Sequence, residues 1–276
     1  MKIDNSFENY KRVNNRCTVY KKDIDNIKDR IINRGKKRKM DVDIIYTLST
    51  FLSYCIRTPE FLDLEKYLPQ YKLFETNYLL IKKEVIDFIN INNIKSFKKT
   101  GETYNNTGIG ISAKDENSWR LFALKEFSSY STEIKNFPVL KNILDKLYLD
   151  ISNCFISILE PYTSIPIHTG YFKGVMRLMF AIKVPKDKEN CFLWVNGIKY
   201  NWEEGKCVLW DDIYPHKVYN NTDENRIVLY MDIYRLPKSR ILKKIANKGI
   251  ENLFKIPKLK KQRDRYIKST EIIIKK

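Results

Sequence analysis

The spacing of apolar residues divides the chain into three stretches. In the first, apolar positions recur at helical intervals: Ile24, Ile27, Ile31 and Ile32 within residues 20–34, a second run over 41–57, and a third over 77–93 with Leu79, Leu80, Val85, Ile86 and Ile89. Gly108-Ile109-Gly110 breaks this texture. From Trp119 short apolar runs alternate with turns. Trp119, Phe122 and Leu124 read as a strand, residues 138–149 as a helix on Leu140, Ile143, Leu144 and Leu147, and then strands follow at Cys154–Leu159, Gly174–Val184, Phe192–Val195, Ile198–Trp202, Lys206–Trp210, Lys217–Asn220 and Arg226–Tyr234. Asn196-Gly197 between two of them is a tight-hairpin signal. Short strands at this spacing predict a barrel or sandwich. After Pro237 the pattern turns helical and basic again. The expected organisation is a helical, basic region over 1–100 that precedes or packs on the core, a β core over 101–237, and a basic helical tail over 238–276.

Composition narrows the class. Apolar residues make up 43% and aromatics 13%, enough for a packed core and too much for a disordered chain. The 5 cysteines are odd in number and form no Cys-x-x-Cys pair, which argues against a zinc ribbon or a disulfide framework and for a reducing compartment. Met1 to Lys11 contains no apolar core of a signal peptide, and no run reaches the roughly 18 apolar residues of a membrane span. A cytoplasmic location is expected, with the nucleus open: Lys36-Lys37-Arg38-Lys39 reads as a localisation signal or a solvated loop.

Charge is uneven. Of the net +18, residues 1–40 contribute 13 − 5 = +8 and residues 237–276 contribute 14 − 3 = +11, so the middle carries 18 − 19 = −1. A neutral core does not suit a nucleic-acid groove through the domain. The basic flanks suit weak contact with nucleic acid or an anionic membrane, or simply a solvated surface.

The chemistry concentrates on the chain's 2 histidines, His168 and His216, and on Arg226, ten residues beyond the second. Two imidazoles on neighbouring strands can bind Fe(II) from one side and leave the other open. A planar guanidinium can hold a carboxylate with two parallel hydrogen bonds. The order His, distant His, Arg is similar to that of double-stranded β-helix oxygenases. The fold expected is therefore mainly β with flanking helices, built on a double-stranded β-helix of the jelly-roll or cupin type.

A denser set of residues carries a more specific resemblance. His168-Thr169-Gly170, Arg177, Trp202-Glu203-Glu204-Gly205-Lys206, Asp211-Asp212, His216, Arg226 and Asp232, with Trp119 and Ser157 upstream, resemble the aspartyl/asparaginyl β-hydroxylase family over roughly Ser118 to Pro237. That resemblance implies a 2-oxoglutarate-dependent dioxygenase that uses Fe(II), 2-oxoglutarate and O₂. It implies His168 and His216 as iron ligands, with Gly170 where other oxygenases carry a ligating carboxylate. It implies that Arg226 with Ser157 holds the distal carboxylate of 2-oxoglutarate, and that Arg177 meets the carboxylate nearest the iron. Asp212 is expected to bond a water on the metal or to orient His216, or else to be a turn residue capping its own backbone. Trp202 and Gly205 read as a core aromatic and a turn. Asp232 lies on the same strand face as Arg226 and is a partner for a barrel cation.

This chain also departs from the animal members. Two residues either side of Arg177, where those carry an Arg and a His, stand Val175 and Met179. The expected substrate is an aspartyl/asparaginyl or other protein side chain. A lipid or nucleic acid reached through the basic flanks is the alternative, since a bacterial branch of the family hydroxylates a lipid acyl chain. A non-catalytic β-barrel binding module is the third reading.

Overall fold

The computed structural model describes residues 52, 56–92, 119–126, 129–170 and 172–235. The helices expected over 20–34 and 41–57, the basic run at 36–39 and the tail over 238–276 fall essentially outside them. Among the described residues, ten strands form two antiparallel sheets. The larger has the order β2-β1-β3-β10-β5-β8 and the smaller β4-β9-β6-β7. The strands are β1 (Trp119–Glu126), β2 (Ser129–Tyr130), β3 (Ile151–Leu159), β4 (Thr163–His168), β5 (Val175–Lys183), β6 (Cys191–Val195), β7 (Ile198–Asn201), β8 (Cys207–Trp210), β9 (His216–Asn220) and β10 (Arg226–Tyr234). Among the described residues these α-helices accompany them: α1 (Leu64–Tyr67), α2 (Lys72–Thr76), α3 (Tyr78–Ile91) and α4 (Pro138–Lys146).

Strand alternation sends successive side chains of the large sheet to two different cores. Ile156, Ile158, Leu178, Phe180, Leu229 and Met231 face outward and pack with Ile81, Val85 and Phe88 of α3 and with Leu140, Ile143 and Leu144 of α4. Their neighbours Phe155, Leu159, Met179, Ala181 and Val228 face inward and meet Ile165, Leu193, Val195 and Val218 of the small sheet. The inner core is thus enclosed between the two sheets, in the manner of a double-stranded β-helix.

The helices are held on the outer face by polar ties. Glu84 of α3 accepts from Val139 N at 2.7 Å and Leu140 N at 3.2 Å, satisfying donors at the start of α4. Glu204 accepts from Tyr78 Oη at 2.5 Å, Lys82 Nζ at 2.6 Å and Val184 N at 3.0 Å. These anchors set the rotation of α3. The helix buries Ile81, Val85 and Phe88, while Leu79 and Leu80, expected on its apolar face, are 74% and 54% exposed. Tyr78 also explains Gly205, whose φ is +75° and whose missing Cβ would lie 3.0 Å from the tyrosine ring.

The hairpin signal is realised. Asn196 and Gly197 both have positive φ, 45° and 91°, as a two-residue turn between β6 and β7 requires. Two strands escaped the sequence pattern. β2 is only Ser129–Tyr130, and β4 carries Pro166, which removes a ladder donor and speaks against a strand. The fold accommodates that proline in an irregular step of the β4–β9 pairing, between Ile165 and His168.

One buried cation belongs to the fold. Lys125 of β1 is 1% exposed and donates to the Tyr148 and Ile151 carbonyls at 3.0 and 2.5 Å, closing the turn from α4 into β3. Burial pushes its ammonium down to about 8 from 10.5. Below about 8 the folded protein bears the full cost of that charge. Between about 8 and 10.5 the folded state sheds the proton and the unfolded chain keeps it, so this residue's contribution rises with pH. Urea unfolding at a series of pH values should show the parent gaining on the order of 3 kcal/mol relative to Lys125→Met across that window. A pH-independent difference would contradict this.

Candidate active site

The small sheet positions the two histidines. His168 ends β4, His216 opens β9, and the two are direct cross-strand partners. Their ring centroids lie 4.0 Å apart with the planes inclined at 59°. His216 is 5% exposed, and its Nδ1 lies 2.8 Å from the Tyr214 carbonyl. A carbonyl only accepts, so Nδ1 carries the proton and Nε2 keeps its lone pair for a ligand. Burial, and then His168, push the His216 imidazole well below the ordinary histidine range, which keeps it neutral at pH 7. Among the described residues no group of three or more His, Cys, Asp or Glu is placed to hold a metal ion. The nitrogen donors brought together among the described residues are the histidine pair.

The large sheet supplies the charged partners, in register. Along the inner face of β10, Asp232, Tyr230 and Val228 stand beside Asn153, Phe155 and Ser157 of β3 on one side and beside Arg177, Met179 and Ala181 of β5 on the other. Arg226 comes next, opposite Leu159. Near the histidines, Arg177 NH2 lies 2.7 Å from Asp212 Oδ2, its Nε lies 3.0 Å from Asp232 Oδ1, and its guanidinium stacks 3.7 Å over the Tyr230 ring. Asp232 also accepts from Asn153 Nδ2 at 2.9 Å.

The other end of the barrel is different. Arg226 is 1% exposed, and its Nε and NH1 have no hydrogen-bond acceptor among the described residues. Its guanidinium lies 5.4 Å from the Trp202 ring centroid. Burial lowers it to about 10, opposed only by the Cys191 thiol, which is itself raised to about 11 by burial. Arg226 is thus charged at pH 7 beside a neutral thiol. Ser157, diagonal to it on β3, accepts from Trp119 Nε1 at 3.0 Å and retains its own hydroxyl proton to donate. A buried cation with vacant donors beside a free hydroxyl fits a carboxylate.

Asp212 is more than a turn residue. Its main-chain oxygen accepts from Gly170 N at 2.6 Å, and its carboxyl carbon lies 2.5 Å from where a Cβ on Gly170 would stand. The carboxylate from the β8–β9 turn therefore occupies the volume that a side chain two residues after His168 would need. Burial raises Asp212 to about 6, against the pull of Arg177.

All six residues singled out in the sequence line this one interior: His168, His216 and Asp212 near one end with Arg177, and Ser157 with Arg226 deeper in. Sequence reasoning missed Thr58, Lys173, Tyr214 and Arg235, whose buried polar groups surround the Asp211-Asp212 turn. They are scattered over the chain, and no spacing marks them. Tyr230 was likewise hidden within an apolar strand.

Two facing antiparallel sheets with a histidine pair at one end and a buried arginine within define a double-stranded β-helix fold. A family model described as aspartyl/asparaginyl beta-hydroxylase matches residues 75–236, more than half of the 276 residues, and the chain belongs to that family. Among curated relatives, an ornithine lipid ester-linked acyl 2-hydroxylase of Rhizobium tropici is 33% identical over 122 residues, 44% of this chain and 43% of that protein. The human aspartyl/asparaginyl beta-hydroxylase is 24% identical over 160 residues, 51% of this chain and 21% of that protein. The chain thus spans less than half the length of either. A solved Pseudomonas putida prolyl-4-hydroxylase is 11% identical, with a TM-score of 0.37 over 70% of this chain and all of that one. No described helix is long and apolar enough to cross a membrane.

Gly170 gives this geometry a direct check. Gly170→Ala should expel the Asp212 carboxylate and break its pair with Arg177, lowering stability by about 1–3 kcal/mol in urea unfolding. A parent-like midpoint would show that the carboxylate does not sit in the glycine notch.

Proposed function

We propose that the protein is an Fe(II)- and 2-oxoglutarate-dependent hydroxylase that acts on an unactivated C–H bond. The observation that carries this reading is Arg226, a buried guanidinium with vacant donors inside the barrel that also holds the histidine pair. In it, His168 and His216 hold the iron, Arg226 with Ser157 holds the distal carboxylate of 2-oxoglutarate, and Arg177 faces the carboxylate nearest the metal. The bound iron, with 2-oxoglutarate and O₂, supplies the oxidising chemistry.

The protein's own part is positioning. The Tyr214 carbonyl fixes the His216 tautomer, so that Nε2 would have its lone pair to offer a metal. Arg226 and Ser157 would hold one end of a five-carbon diacid inside the barrel that also carries the histidines. Asp212, held by Arg177 and by contact with Gly170, places a fixed negative charge near the donor pair. The apolar inner residues exclude water around the reacting carbon.

On the substrate side, a lipid acyl chain is the reading we favour over an aspartyl or asparaginyl side chain. Two of Arg177's nitrogens face carboxylates of the protein itself, and the inner residues nearest it on its own strand are Val175 and Met179. With two protein carboxylates against it, and the co-substrate facing it in this reading, Arg177 has little left for a substrate carboxylate, whereas an apolar chain suits methionine and valine. The acyl hydroxylase activity in the name of the Rhizobium tropici relative agrees with this.

The test is turnover with purified protein, Fe(II) and 2-oxoglutarate, presenting an acylated aminolipid in mixed micelles or an aspartate-containing peptide, with oxygen incorporation read by mass spectrometry. Oxygen is expected in the lipid. Incorporation into the peptide alone would replace the substrate reading and leave the enzyme reading intact. His168→Ala and His216→Ala should abolish turnover. Arg226→Met should raise the 2-oxoglutarate KM on the order of 10- to 100-fold, the loss expected for a charge-assisted pair. Equal turnover in His216→Ala and the parent would refute the site.

A further inference from the structure

Behind the histidine pair lies a second buried polar cluster, centred on Asp211, that takes no part in the reading above. Asp211 is 0% exposed. Its Oδ2 accepts from Thr58 Oγ1 at 2.5 Å, pairs with Lys173 Nζ, and lies 3.0 Å from Arg235 NH2. Lys173 Nζ also donates to Thr58 Oγ1 at 2.8 Å, and Arg235 Nε donates to the Lys173 carbonyl at 2.8 Å.

The cluster joins the segments that carry the histidines. Lys173 lies in the loop that leaves His168, and Asp211 begins the turn that leads to His216. From Thr58 a direct line runs to the ring itself. The Tyr214 hydroxyl donates to the Thr58 carbonyl at 2.8 Å, and the Tyr214 carbonyl faces His216 Nδ1 at 2.8 Å. The Thr58 segment is pinned along the edge of β8 by Leu62 N to Leu209 O at 2.8 Å and by Asp211 N to Glu60 O at 2.9 Å.

A charged triad in the interior, by itself, contributes little net stability, because the attraction is offset by desolvation of each ion. Groups that orient a metal-binding histidine from behind typically change metal affinity about 10- to 100-fold when removed. Here the tyrosine that accepts from the histidine is itself tethered by a residue upstream of position 75, where the family match begins.

We propose that Thr58, Tyr214 and Asp211 are positioning residues for His216, and that the segment 58–62 is a working part of the metal site. The cluster holds the Tyr214 carbonyl at its distance from Nδ1 and thereby aims Nε2. This rests on the metal-binding reading of the histidine pair.

The test uses the full chain without metal and titrates it anaerobically with Co(II), reading affinity and the visible ligand-field bands, alongside the melting temperature of the metal-free protein. Tyr214→Phe removes one hydroxyl and keeps the ring. Thr58→Val keeps the shape and removes the side-chain bonds. Each should weaken Co(II) binding about tenfold or more and shift the bands, with the metal-free melting temperature close to the parent's. Because the residues act in series, the double variant should bind within about threefold of the weaker single variant. Parent-like affinity and spectra, with only the melting temperature lowered, would overturn the proposal and leave the metal reading standing. A parent that binds Co(II) no better than His216→Ala would overturn both.

Discussion

Taking a guanidinium out of water without an anion costs several kcal/mol, and Arg226 is out of water on the inner face of β10. Its charge persists, since burial lowers it only to about 10. Among the described residues Nε and NH1 find no acceptor, and Trp202 offers the face of a ring rather than an anion. The two facing sheets keep water from the cation, and the small sheet sets the histidine pair within the same interior. The proposed chemistry follows from that constraint: a ligand that brings its own carboxylate relieves the charge of Arg226.

The two arginines on the inner face make the contrast plain. Arg177 lies against Asp212, Asp232 and the Tyr230 ring, so its charge is already balanced by the protein. It serves as much to hold Asp212 over Gly170 as to meet a ligand. Arg226 lacks such partners. A sequence shows two arginines of equal standing; their environments separate one that completes the protein's own network from one that is proposed to complete a ligand.

Much of this was legible beforehand, for definite reasons. The inner and outer faces of β3, β5 and β10 follow from period-two alternation, and the β6–β7 hairpin from Asn196-Gly197. The candidate site was legible because the chain has only 2 histidines and each falls in a dense block of family-like residues. Other features were not readable. β4 was masked by its proline. The face of α3 was set by Tyr78 and Lys82 reaching Glu204, over a hundred positions away, and not by the leucines at its start. The cluster around Asp211 unites Thr58, Lys173 and Arg235 from three distant segments, and such a contact leaves no periodic trace.

The most direct test of the account is to ask whether Arg226 recognises a carboxylate. Anaerobic protein loaded with Fe(II) would be titrated with 2-oxoglutarate and with 2-oxopentanoate, which has the same keto-acid end and lacks the distal carboxylate, following the visible band of the keto-acid chelate. The account predicts that 2-oxoglutarate binds about 10- to 100-fold more tightly in the parent, and that Arg226→Met erases the difference. Equal affinity of the two keto acids for the parent would contradict it.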